Sequence, residues 1–379
     1  MRRYQILLTF SMSSEMFINI SKIIEQESKT STYKFALLRG TIDLIQENSP
    51  YIVANKDRVY IPMGLLINKW IFYYYPLLES SVNIPQINGH KPIAFEKELK
   101  SLINDYRKKG DISVLYNDLR TNNLDKASEK LLIDLYAKLQ RTISSMPMKY
   151  LGTSINKIHN SIFEYHGHRN ANQNKLDFVQ GYGTFSIPSK YYDALRILGS
   201  FINGQESIIN KWAEFSWNCI GNNVKNKSVI IGKLLDNPVT ERQVNESKLI
   251  FRKIQKEIGS IECVWTGKNV RNSDNYDLDH LLPFSVWRNN DMWNLLPTTS
   301  TVNKQKSNLI PSTERIERAR PTIVKYWQIL QKINENRFNR EIEQALLGIT
   351  ISNGWEQLGI KRIKEHSEYL IKYRGYEHW

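Results

Sequence analysis

Residues 259–312 cannot extend a helical pattern. Gly259 supplies a stop, "IECVWTGKNV" reads as a strand and turn, and "YDLDHLLPF" reads as a second strand cut off by Pro283. "TSTVNKQKS" suits only a short Ser/Thr-capped helix that ends before Pro311. The order strand, strand, helix predicts a small α+β module.

The flanking regions read as helices. "TSTYKFALLRGTIDLIQEN" opens on Ser/Thr caps and puts Phe35, Leu38 and Ile42 on one helical face. "RVYIPMGLLINKWIFYYYPLLES" predicts a short extended piece, then a buried aromatic helix that must end or kink at Pro76. "IAFEKELKSLINDYRKKGD" is amphipathic and stops at Gly110, and "SEKLLIDLYAKLQRTISSM" is another helix. Thr240 is placed to cap a helix whose buried face is Val244, Phe251, Ile254 and Ile258. Beyond Pro311, residues 313–379 read as further helices. The aromatic stripes at helical spacing read as core, not as stacking platforms for bases. The fold class expected is therefore mainly α with a small α+β module. Its regions are a mostly helical 1–239, a module with its leading helix over 240–312, and C-terminal helices over 313–379 that pack on the module.

A chain of 379 residues has room for about two or three domains. No apolar run reaches the roughly 20 residues that a membrane-crossing helix needs. "MRRYQILLTFSM" has the basic start and apolar run of a signal peptide. Gln5 and Thr9 interrupt that run, and no small-residue cleavage site follows, so a first structured element is expected. Only Cys219 and Cys263 occur, which argues against a disulfide framework and makes a reducing cytoplasm the expected setting.

The net charge is +14, unevenly spread. Residues 262–312 balance five basic against five acidic side chains, and 313–379 carry twelve against nine, which leaves +11 on 1–261. An excess of that size favours a polyanionic partner, because each neutralised phosphate releases counterions.

Two other stretches carry less. "EYHGHRNANQNK" brings His166, His168 and Arg169 together, but without further ligands at metal spacing it reads as a loop. "GYGTFSIPSKYYDALRILGSFI" reads as a strand, a turn at Pro188 and a helix, and its GxG lacks the third glycine of a dinucleotide fingerprint.

The module's polar residues are a different matter. Asp279 and His280 are adjacent, Asn294 sits in "WNLLP", and Asn303 and Lys306 sit in "VNKQKS". Singly, a histidine is more often structural and an asparagine more often a cap. As a set, they match the His-Asn-Asn version of the HNH nuclease motif. The stretch resembles the HNH domain of RNA-guided CRISPR effector nucleases, and more closely the stand-alone bacterial HNH endonucleases of restriction and antiphage defence. The likeness covers about residues 260–312.

That resemblance implies a ββα-metal nuclease hydrolysing DNA phosphodiesters to 5′-phosphate and 3′-hydroxyl ends. His280 would take a proton from water, since an imidazole ordinarily titrates near neutrality. Asp279 and Asn303 would hold Mg²⁺, for which Mn²⁺ substitutes, and Asn294 would fix the loop that orients His280. Lys306 shares a helical face with Asn303 and is expected to reach a phosphate, with Arg288, Lys304 and Arg315 as further nucleic-acid contacts. Arg318 and Arg320 are near enough in sequence to join them. Asp277 is expected to be structural. Because neighbours on a strand face opposite ways, Asp279 and His280 should sit at a twisted strand end.

Two other functions fit the same residues. One is an HNH ribonuclease acting on structured RNA such as tRNA, and another is a non-catalytic nucleic-acid-binding protein. A single site per chain implies nicking or a homodimer, and a defence-system partner protein is a further expectation. The basic region 1–239 would recognise the substrate or regulate the module. Many HNH domains also carry two CxxC knuckles around a structural zinc. Here those positions are Cys263, Thr266, Thr299 and Val302, so only one can ligate and a tetrahedral zinc is excluded. Apolar packing by Val264, Trp265, Leu281, Leu282, Phe284, Trp287, Trp293, Leu295 and Leu296 is expected in its place.

Overall fold

The computed structural model describes residues 18–25, 29–89, 91–152, 161–167, 177–202, 208–236, 244–270, 276–287 and 290–379. The protein is mainly α-helical with small antiparallel sheets. It divides into two compact units, residues 1–48 with 52–238, and residues 49–51 with 239–379. The predictions made for the N-terminal segment, His168, Arg169, Thr240 and Arg288 lie outside the described residues.

The first unit packs helices around an aromatic core. Helix α1 (Tyr33–Gln46) leads through strands β1 (Val53–Ala54) and β2 (Arg58–Pro62) into α2 (Met63–Glu79). Trp70 of α2 is fully buried, with its ring 5.6 Å from those of Tyr33 and Tyr74 and 6.0 Å from Phe95. Pro76 does not end α2, which runs three residues further. Lying in the last turn, it removes only one helical hydrogen bond.

Strands β3 (Glu164–His166) and β4 (Thr184–Pro188) complete a four-stranded sheet in the order β1-β2-β4-β3. His166, expected in a loop, is thus in a strand. It pairs with Thr184, and its Nε2 lies 2.8 Å from Ser186 Oγ. The GxG is also structural: Gly183 has φ +85°, and a Cβ there would come within 2.7 Å of the His166 carbonyl.

In the second unit, α3 (Val244–Ile258) ends at Gly259, whose φ is +80°. Phe251 and Ile254 of its buried face enter the core. Strands β5 (Ile261–Glu262) and β6 (Asn269–Val270) form a hairpin of their own. The module's main hairpin is built from β7 (Tyr276–His280) and β8 (Leu295–Thr299), in the register Asp277 to Thr298, Leu278 to Pro297 and His280 to Leu295. This corrects the sequence reading, which took the first strand from 261–270 and missed β8.

Pro297 hid β8, because a proline argues against a paired strand. Its carbonyl accepts from Val264 N at 2.8 Å, so that edge of the residue faces away from β7. The missing N–H falls on the same side and costs the β7–β8 ladder nothing.

Helices α4 (Thr313–Ile333), α5 (Glu335–Ile342) and α6 (Trp355–Arg374) brace this hairpin through one shared core. Trp327 Nε1 donates to the Trp293 carbonyl at 2.9 Å, and Glu341 accepts from Met292 N at 2.7 Å. Val264, Leu281, Leu282, Trp293, Leu295 and Leu296 are buried, whereas Trp265, Phe284 and Trp287 are half-buried.

Candidate active site

Residues Ser300–Lys306 form a short helix capped by Thr299, whose Oγ1 accepts from Val302 N. It packs on β7 and β8. Asn303 and Lys306, three residues apart, share its inner face, while Asp277 and Asp279, two apart, share one face of β7. The two spacings match. Asn303 Nδ2 donates to Asp277 Oδ2 at 3.2 Å, and Lys306 Nζ donates to Asp279 Oδ1 at 3.1 Å.

Lys306 is 0% exposed and also donates to the His280 carbonyl at 2.7 Å. The other Asp279 oxygen accepts from Trp265 Nε1 at 2.8 Å, and the Trp265 ring lies 5.8 Å from the Lys306 ammonium. Burial dominates the electrostatics. It raises the Asp279 carboxyl above its ordinary range against the pull of Lys306, and it lowers the Lys306 ammonium against the pull of Asp279.

His280 faces the other side of the strand and is 3% exposed. Its Nε2 lies 3.2 Å from Asn290 Oδ1, and its ring centroid 5.5 Å from that of Phe284. The donor and acceptor roles in that contact are set by the tautomer of the ring. Asn294 is fully buried and clamps the backbone just past the strand, accepting from Leu282 N at 2.8 Å and donating to Leu282 O at 3.1 Å. It thereby fixes the turn that follows His280.

Several placements differ from the sequence reading. Lys306, expected at a phosphate, is in an interior ion pair, because its helical face is turned onto β7. Asp279 is held by Trp265, which was read only as packing, and Asn303 is joined to Asp277. Strand alternation places Asp277 beside Asp279 and could have found it; Trp265 lies on another hairpin and left no local signal. Asn290 was likewise missed. Lys304 and Arg315 are exposed, and the Arg315 guanidinium lies 3.8 Å from the centroid of the Trp379 ring.

Cys263 is buried with Sγ 3.4 Å from Thr298 Oγ1, so the side chain facing it is Thr298, one residue before the expected Thr299. Among the described residues, no three or more His, Cys, Asp and Glu side chains converge as a metal cluster. Asp277, Asp279 and Asn303 offer oxygen and no sulfur, a donor chemistry that suits Mg²⁺ better than zinc, and both Asp279 oxygens are engaged by Lys306 and Trp265.

The module is thus a ββα hairpin and helix, with Asp279 and His280 ending its first strand and Asn303 on its helix. The family described as HNH endonuclease matches residues 263–312, so the protein carries an HNH endonuclease domain. The chain belongs to the family of a domain of unknown function (DUF8808), which matches residues 13–234, more than half its length. No curated protein and no solved structure matches it.

Proposed function

We propose that the protein is a metal-dependent HNH endonuclease that cuts DNA phosphodiesters, acting in the cytoplasm in restriction or antiphage defence. The observation that carries this reading is the pairing of Asp277 and Asp279 with Asn303 and Lys306 on the strand that His280 ends, within residues matched by the HNH family.

The His280 imidazole receives a proton from the attacking water, and Asn290, beside its Nε2, orients the ring. Asn294 keeps the turn after His280 in place. Asp279 and Asn303 are the proposed metal-holding residues, and Asp277 joins them as a third oxygen donor. When bound, a divalent cation such as Mg²⁺ supplies stabilisation of charge on the phosphate and the leaving oxygen. Lys306 keeps the Asp279 carboxylate charge-compensated in the interior. The basic excess of residues 1–261 supports attraction of a polyanion, and exposed Lys304 is the proposed backbone contact.

Incubating the purified protein with plasmid and with total RNA, in Mg²⁺ or in EDTA, tests the reading. Mg²⁺-dependent cutting of DNA is expected; cutting of RNA alone would overturn the DNA assignment. The burial of His280 and Asp279 favours a second reading, a nucleic-acid-binding protein whose nuclease fold does not cut. Binding without cleavage of either substrate selects it.

A further inference from the structure

Trp379 lies far from the motif in sequence but near it in space. Residues 377–379 run beside 310–312: Ile310 N donates to Glu377 O at 3.0 Å, Trp379 N to Ile310 O at 2.7 Å, and Ser312 N to Trp379 O at 3.0 Å. The Trp379 ring is held on two sides. The Arg315 guanidinium covers it at 3.8 Å, and the Trp265 ring meets it edge-on at 5.2 Å and 83°. Trp265 in turn donates to Asp279 Oδ2 at 2.8 Å. Three contacts thus join Arg315 to a proposed metal-holding carboxylate.

An indole N–H holds a carboxylate only while its ring is fixed in rotation. Trp265 stands in the β5–β6 loop and is half-buried. Trp379 supplies a wall for it.

We propose that Trp379 is a positioning residue of the nuclease site, fixing the Trp265 indole so that its N–H holds Asp279 ready for a divalent cation. This rests on the nuclease reading above. Trp379 touches neither the cation nor the substrate; it acts through Trp265.

The test is Mn²⁺ binding to the full chain, followed by electron paramagnetic resonance and by calorimetry. Trp265→Phe keeps a ring but loses the N–H, and weakens Mn²⁺ binding about 10-fold. Trp379→Ala weakens it by about 3- to 10-fold, and Trp379→Phe largely restores it. The double variant Trp265→Phe/Trp379→Ala is no weaker than Trp265→Phe alone, because both changes act through one hydrogen bond. Trp379→Leu keeps apolar volume in case the alanine variant does not fold, and it shows the same weakening. A folded Trp379→Leu protein with wild-type Mn²⁺ affinity, or strictly additive losses in the double variant, overturns the proposal. A wild-type chain that binds no Mn²⁺ overturns the metal-dependent reading itself, and this proposal with it.

Discussion

Lys306 Nζ lies 3.1 Å from Asp279 Oδ1, with the two side chains 0% and 6% exposed. Removing one member of so buried a pair leaves an uncompensated charge, which typically costs about 3–5 kcal/mol. Lys306→Met is expected to lower stability by that order in urea denaturation. Combining it with Asp279→Asn should cost less than the two single changes summed, because each relieves the other's unpaired group. Full additivity would mean that the pair does not form.

Asn294 satisfies both backbone groups of Leu282. Asn294→Ala leaves a buried N–H and a buried carbonyl without partners, an expected loss of about 2–4 kcal/mol. Asn294→Asp keeps the acceptor for Leu282 N but sets an oxygen against Leu282 O, so it does not rescue stability fully. Denaturation midpoints of the two variants check the order.

Glu341 gives the fold a pH dependence. Burial first, then the charge of Asp291, pushes its carboxyl up to about 7 against the pull of Arg337. A raised folded value means the protonated form is favoured in the fold. The stabilisation is complete below the ordinary carboxylate range and is lost as pH rises through about 7. The melting temperature of the wild type should therefore fall between pH 4.5 and about 7 by more than that of Glu341→Gln, the window being set by the shift between the ordinary value and about 7. Parallel pH profiles in the two proteins would contradict this assignment.

Much of the fold was legible where a single period governs a segment. Phe251 and Ile254 follow helical spacing into the core, and the aromatic run around Trp70 is buried as its pattern implies. The misses have local causes. Pro297 obscured β8 because sequence does not tell which edge of a strand a residue's N–H would occupy. His166 was read as a loop because β3 is only three residues long and depends on β4 for its pairing. At the candidate site, the motif marked Asp279, His280, Asn294, Asn303 and Lys306, but their partners Trp265, Asn290 and Asp277 are set by tertiary packing. The burial of Lys306 was likewise invisible, since helical spacing fixes which residues share a face and not where that face points.

Cleavage by His280→Ala under saturating Mg²⁺, alongside its nucleic-acid binding by gel shift, tests the central claim most directly. Loss of a general base is expected to slow cutting by about 10²- to 10⁴-fold while binding stays within a few-fold of wild type. A folded His280→Ala protein that cuts at the wild-type rate would contradict the account, because the imidazole would then have no part in activating the water.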